Sequence, residues 1–195
     1  MKKSTTIIVI IAVLAALAFW FIGKYNAMVI ADENVKTAWA QVENQYQRRS
    51  DLIPNLVATV KGYATHESQV LESVIEARAK ATQVTVDPSK TSPEQLAAFQ
   101  AAQGELSQAL GRLLAVAESY PDLKANQNFL ELQAQLEGTE NRIAVARNAF
   151  NETAKEFNVM TRRFPNNIVA AVCGFEQKAY FEAEADAKKA PVVEF

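Results

Sequence analysis

His66 and Glu67 open the sequence pattern of a helical zinc hydrolase, in which two histidines one turn apart hold the metal and the glutamate acts as base. Here Val70 stands where the second histidine belongs, and His66 is the only histidine in the chain. Glu72 and Glu76, one turn apart, have the spacing of divalent-cation ligands. A di-metal site in a helical bundle also needs Glu-x-x-His pairs on other helices, which one histidine does not provide. Cys173 is the only cysteine. It lies in an apolar stretch, which suits packing better than nucleophilic attack. Glycines 23, 62, 104, 111, 138 and 174 are scattered and form no phosphate-binding loop. Asn151-Glu152-Thr153 is a glycosylation triplet in form but falls inside a helical pattern. The expectation is a protein that is not an enzyme, with no catalytic, cofactor-binding or metal-binding residues and no small-molecule substrate.

Four polar residues fall on otherwise apolar stripes: Asp32, Glu67, Arg78 and Gln103. Burying them costs several kcal/mol each unless they are paired. Pairing of Arg78 with Asp32 or Glu67 would fix the register between helices, as polar seam residues do in coiled coils. The competing reading is a polar groove that receives a partner. Arg48-Arg49 and Arg162-Arg163 read as helix-end arginines that complement the C-terminal dipole.

The elements that carry these residues are helical. Six glycines and six prolines in 195 residues leave room for long uninterrupted helices, and 49% hydrophobic with 22% charged residues indicates a folded chain. Ile7–Ile22 is an unbroken apolar run of sixteen residues. With Thr5, Thr6 and Gly23 it would rise about 28 Å as a helix, close to the thickness of a bilayer's hydrocarbon core. Trp20 sits near its far end and Lys2-Lys3 near its start, both suited to headgroup level. Ala16-Leu17-Ala18 has the form of a signal-peptidase site, but the apolar run continues through Phe19–Ile22, which favours a retained anchor. Basic residues near the span are nearly balanced: Lys2 and Lys3 before, Lys24 and Lys36 after. The small bias favours a cytoplasmic N-terminus and an extracytoplasmic body.

Beyond the span, four segments repeat apolar residues at alternating spacings of three and four. They cover about 24–49, 52–81, 93–119 and 129–164. The last is the most regular. Phe129, Leu132, Leu136, Thr139, Ile143, Ala146, Phe150, Thr153, Phe157, Met160 and Phe164 keep a seven-residue period, the spacing of a bundle seam. Ser50-Asp51 before Leu52-Ile53-Pro54 reads as a helix start, with proline in the first turn. A single helix kinked at Pro54 is the alternative. Ser92-Pro93-Glu94-Gln95 is a capping box, and Tyr120-Pro121-Asp122 ends the third helix. Ile168–Phe175 is a short apolar piece placed either against the bilayer or at the base of the bundle. Residues 176–189 read as a helix, and the chain ends extended.

The expected fold is all-α: an N-terminal transmembrane helix (residues 1–23 with its tail), an antiparallel four-helix bundle (24–165), and a C-terminal tail (166–195) packed on or near the bundle base. All 22 acidic and 18 of the 20 basic residues lie beyond residue 23, so the body carries a net charge of −4 and is a poor match for nucleic acid.

Several strings resemble the LemA family: Arg48-Arg49-Ser50-Asp51-Leu52-Ile53-Pro54-Asn55-Leu56-Val57, Val60-Lys61-Gly62-Tyr63-Ala64, Thr139-Glu140-Asn141-Arg142-Ile143, Phe157-Asn158, Arg163-Phe164-Pro165-Asn166-Asn167 and Ala190-Pro191-Val192-Val193-Glu194-Phe195. They run in order along nearly the whole chain. Phe150 and Phe157 stand where the family often has tyrosine before asparagine. The resemblance implies a bacterial membrane protein with one N-terminal membrane helix and a helical bundle, and it implies no reaction. The partners expected are the lipid bilayer and other membrane or envelope proteins, for which the bundle acts as a scaffold or interaction module. A membrane-organising or lipid-interacting role is the alternative.

Overall fold

The computed structural model describes residues 2–182, which form six α-helices and, among the described residues, no strand. Helix α1, Lys2–Lys61, is a single rod of 60 residues, about 90 Å long. Its first third is apolar on every side and long enough to cross a membrane. The rest is the longest member of the bundle. Helix α2 follows at Ser68–Gln83, α3 at Pro93–Ala117, the one-turn α4 at Pro121–Lys124, α5 at Gln127–Arg162 and α6 at Asn166–Cys173.

The helix break expected at Ser50–Pro54 does not occur. Pro54 lies inside α1. Proline has no N–H to donate to the carbonyl four residues back, so the Ser50 carbonyl loses its helical partner. Arg78 of α2 supplies the missing donor: its Nε lies 2.9 Å from the Ser50 oxygen. Arg78 therefore pairs with neither Asp32 nor Glu67. The second expected helix is divided instead at residues 62–67, where the chain turns back. Across that turn Tyr120 donates its hydroxyl to Glu67 at 3.0 Å, and Asn126 donates to the Tyr63 hydroxyl at 2.9 Å.

Because α1 runs on, its heptad seam does too. Trp39, Val42, Tyr46, Arg49, Ile53, Leu56 and Val60 are all buried. This seam meets α5 antiparallel, with Val35 and Phe157 in one core cluster and Ile53 and Leu136 in another. The seam of α5 keeps its heptad to Phe150 and then shifts by one residue. Ala154 and Thr161 are buried in place of Thr153 and Met160, and Phe164 is exposed. A straight helix turns 3.6 residues per turn and drifts off a strict seven-residue repeat in this direction.

Helices α2 and α3 pair with each other, and their cluster covers the distal half of α1 and α5. Ser92 caps α3 as its sequence suggests, accepting the Gln95 N–H at 3.2 Å with Pro93 behind it. At 16 residues, α2 is too short to reach the half of the bundle nearer the N-terminal apolar stretch. That half is filled by the aromatic cluster of Trp39, Phe99, Phe150 and Phe181, with Trp39 stacked on Phe181 at 5.7 Å. Phe181 belongs to residues 175–182, which run extended along the bundle and not as the expected helix. The turn into this segment is made by Gly174 at φ 74°, a left-handed cap that a side chain would strain. The remainder of the expected C-terminal helix, 183–189, lies outside the described residues.

Replacing Arg78 with methionine should cost about 1–3 kcal/mol by stranding the Ser50 carbonyl. In a Pro54→Ala background the helix can supply its own donor there, and the same replacement should cost much less. A double-mutant cycle by denaturant unfolding of the detergent-solubilised chain checks the coupling.

Candidate functional site

The most developed polar site lies on the side of the bundle where α3 and α5 stand apart over the floor of α1. It is an elongated groove. Its end nearer the N-terminal apolar stretch is filled by the chain's own tail, and its distal end is an open cleft of about 880 Å³.

Two asparagines on α5 hold the tail, each pairing with both the N–H and the carbonyl of one residue. Asn158 accepts the Lys178 N–H at 2.8 Å and donates to the Lys178 carbonyl at 2.8 Å. Asn151 accepts the Phe181 N–H at 2.8 Å and donates to its carbonyl at 2.9 Å. The registers match. Seven residues of helix rise about 10.5 Å, and three residues of extended chain span about 10 Å. Each asparagine amide does for the tail what a neighbouring strand would do. Gln100 of α3 and Arg147 of α5 then converge on the Glu182 carbonyl, both at 3.0 Å.

Lys178 is buried and threads inward between α1 and the loop after α2. Its ammonium lies 2.8 Å from Asp32 Oδ1 and 2.6 Å from the Ser89 carbonyl, with the Phe157 ring 5.2 Å away. Asp32 also takes Lys36 at 3.0 Å. Burial works against the charged form of Asp32. The two ammonium groups outweigh it and hold the carboxyl below its ordinary value.

Beyond Glu182 the groove is open. Its α3 wall is lined by small or polar residues (Ala97, Ala101, Gly104, Gln108), and its α5 wall by Glu140, Ile143 and Arg147. Arg49 forms part of the floor. It is not a helix-end arginine. It sits inside α1, twelve residues before the helix ends, and is 1% exposed. Its Nη1 donates to Ser107 Oγ and to Glu140 Oε1, each at 2.7 Å, and its Nη2 donates to Gln103 Oε1 at 2.6 Å. Gln103 in turn donates to the Ala81 carbonyl of α2 at 3.2 Å. One guanidinium thus ties together α1, α3 and α5 and, through Gln103, α2. Tyr46 lies beneath it, 5.2 Å from ring centroid to guanidinium carbon.

The other residues considered for chemistry do not meet. His66 lies in the α1–α2 turn and is exposed, as are Glu72 and Glu76 on α2. Cys173 is half-buried at the end of α6. Among the described residues no three or more His, Cys, Asp or Glu side chains converge as a metal cage. Of the polar stripe residues, Gln103 and Asp32 prove to anchor the groove's two halves. Arg49 stands out in the sequence only as a helix-end arginine, and Asn151, Asn158 and Lys178 not at all by residue type. The Phe-Asn dipeptide repeated at 150–151 and 157–158, one heptad apart, points to the two asparagines, and the continuation of the α1 seam through residue 49 points to Arg49; no sequence signal marks Lys178.

Truncating Arg49 to alanine should cost about 1–3 kcal/mol, since the buried Gln103 loses its partner while Glu140 and Ser107 can turn to water. The midpoint of denaturant unfolding in detergent measures this. The lowered pKa of Asp32 sets a pH dependence. Its stabilisation is complete above the unfolded carboxylate value of about 3.9 and disappears as pH falls through the lower folded value. Asp32→Asn should therefore lower stability at neutral pH and flatten the acid limb of a stability–pH curve below about pH 4.

Residues 38–195 match the LemA family. Among curated proteins, magnetosome protein MamQ 2 of Paramagnetospirillum magneticum is 27% identical over 205 residues, covering 95% of this chain and 75% of that protein. Magnetosome protein MamQ of Magnetospirillum gryphiswaldense is 28% identical, covering 94% and 74%. Protein LemA of Metamycoplasma hominis is 25% identical, covering 93% and 80%.

Proposed function

The chain belongs to the LemA family, and from that premise we propose that it is a membrane-anchored, non-catalytic scaffold whose α3–α5 groove takes up an extended segment of another membrane or envelope protein. The observation that carries this reading is the tail in the groove. Residues 178–182 lie there as extended chain, gripped through backbone N–H and C=O groups by Asn158, Asn151, Gln100 and Arg147. Contacts to backbone groups are indifferent to side-chain identity, so the same device serves any extended polypeptide of suitable register. The open distal half continues the same walls and adds Glu140, which gives a partner segment a charged feature to match.

The anchor reading rests on the apolar stretch Ile7–Ile22, whose side chains are exposed from Ile7 to Phe19 and covered only at Trp20 and Phe21, where α6 packs on them. On this reading the chain is a single-pass protein of a bacterial plasma or inner membrane, with its body on the extracytoplasmic side. No hinge separates span from bundle, because both belong to α1. The groove is thereby held at a fixed height above the bilayer. A reporter fused after Phe195 reads the side on which the body lies.

A photo-crosslinking residue placed at Ala101 or Gln108, inside the open groove, should yield discrete adducts in intact membranes. The same residue at Val145, on the exposed outer face of α5, should not. Capture of the same abundant bystanders from all three positions would count against the scaffold reading.

A further inference from the structure

Helix α6 has two unlike faces. Its inner face, Val169 and Ala170, is buried against Met28 of α1, with Trp20, Phe21 and Met160 packed around it. Its outer face carries Ile168 and Val172, one turn apart and 52% and 72% exposed, and Phe164 just ahead of the helix is 77% exposed. Three large apolar side chains left this open within nine residues form a patch that the bundle does not cover.

Its height is fixed by its contacts. Trp20 to Met28 is eight residues of α1, about 12 Å of rise. The apolar run ends at Ile22, so this interval straddles the place where the span leaves hydrocarbon. The headgroup layer on one side of a bilayer is about 5–8 Å thick, and α6 lies beside α1 at that level. The charge pattern agrees. Between Glu156 and Glu176 the chain has no acidic residue and two basic ones, Arg162 and Arg163, both exposed and directly before Phe164. Helix α6 itself carries no charged side chain.

We infer that Arg162–Cys173 is a second membrane contact, lying in the plane of the interface. Phe164, Ile168 and Val172 enter the acyl boundary, and Arg162 and Arg163 meet anionic lipid phosphates. Continuity with the span and the uncompensated positive charge single out a lipid surface as the occupant of the patch. This inference rests on the reading of Ile7–Ile22 as a membrane span.

The test uses the full chain with Cys173→Ser, reconstituted into vesicles of phosphatidylcholine and phosphatidylglycerol. Single cysteines replace Leu14, Ile168, Val172 or Val145 and carry a nitroxide label. Collision rates with oxygen, which partitions into lipid, and with a water-soluble nickel chelate report depth. Leu14 should read deep in lipid and Val145 in water. Ile168 and Val172 should show an oxygen-to-nickel ratio several-fold above Val145 and below Leu14. Arg162→Gln combined with Arg163→Gln, or omission of phosphatidylglycerol, should move both towards the Val145 value. If Leu14 is deep while Ile168 and Val172 match Val145, the span stands and the second contact is overturned. If Ile168 and Val172 are shielded from both reagents, a protein surface covers the patch and the inference is equally overturned. A Leu14 label in water would remove the span itself, and the inference with it.

Discussion

The architecture turns on one carbonyl group. Pro54 cannot donate to Ser50, and an orphaned main-chain oxygen in a helix interior would ordinarily end or bend the rod. Arg78, reaching from α2, gives that oxygen a charge-assisted partner at 2.9 Å. Three consequences follow. Helix α1 continues seven residues past the proline. The α2 helix is fixed in register against it. And Arg49, one turn before the proline, falls inside the α1 seam and not at a frayed end. Once buried, the Arg49 guanidinium needs acceptors, and Glu140, Ser107 and Gln103 answer from α5 and α3. The string from Arg48 to Pro54 thus joins two helix-linking contacts within a single turn.

The second constraint is one of length. From Lys24 onward α1 has 38 residues and α5 has 36, about 57 and 54 Å of rod. Helix α2 has 16 residues and α3 has 25, about 24 and 37 Å. A bundle with two long and two shorter members leaves apolar seam exposed at one end. The extended tail covers it: Phe175 packs on Tyr25 and Phe157, and Phe181 on Trp39 and Phe150. An extended chain has unpaired backbone groups on both edges. Asn151 and Asn158 satisfy one edge at two points, which is why asparagine follows a seam phenylalanine of α5 twice, seven residues apart.

Much of the fold is legible in the residues alone, because its signals are local or strongly periodic. The apolar run of Ile7–Ile22, the seam of α5 and the Ser92-Pro93 start of α3 need no knowledge of distant partners. The misreadings share a cause. Ser50-Asp51 followed by proline is a sound local helix start. The residue that overrides it, Arg78, is 28 positions away. Residues 176–182 have composition that suits a helix, yet Lys178 has a buried site waiting at Asp32 and Ser89, and Phe181 a slot beside Trp39. Tertiary contacts decide such segments against their local preference. Arg78 invites an acidic partner because charge complementarity is plain in a sequence, whereas a carbonyl freed by proline is visible only when the helix is known to be continuous. The groove follows suit: Gln103 and Asp32 stand out as polar residues on apolar stripes, but Arg49 reads as a helix-end arginine until the α1 seam is carried through Pro54.

A rod anchored by one helix is free to spin about its own axis in the plane of the membrane. Its groove would then sweep all directions, with no preferred face towards a neighbour in the bilayer. A second contact off the axis changes the mechanics. On the proposed arrangement α6 lies beside α1 at headgroup level, and its outer face must stay level with the interface. That requirement limits how far the rod can tilt towards or away from the α6 side. Helix α5 leads directly into α6 through Arg163–Pro165, and α5 forms one wall of the groove. The orientation of the membrane contact is therefore carried up the bundle to Asn158, Asn151 and Arg147 through that three-residue link and the packing of α6 on α1. Spin about the membrane normal remains, but the height and inclination of the groove are set. A partner segment rising from the same bilayer then meets the open half of the groove in a narrow range of geometries. Restricting those geometries lowers the orientational cost of association, which suits a site whose contacts are mostly to backbone groups and individually weak.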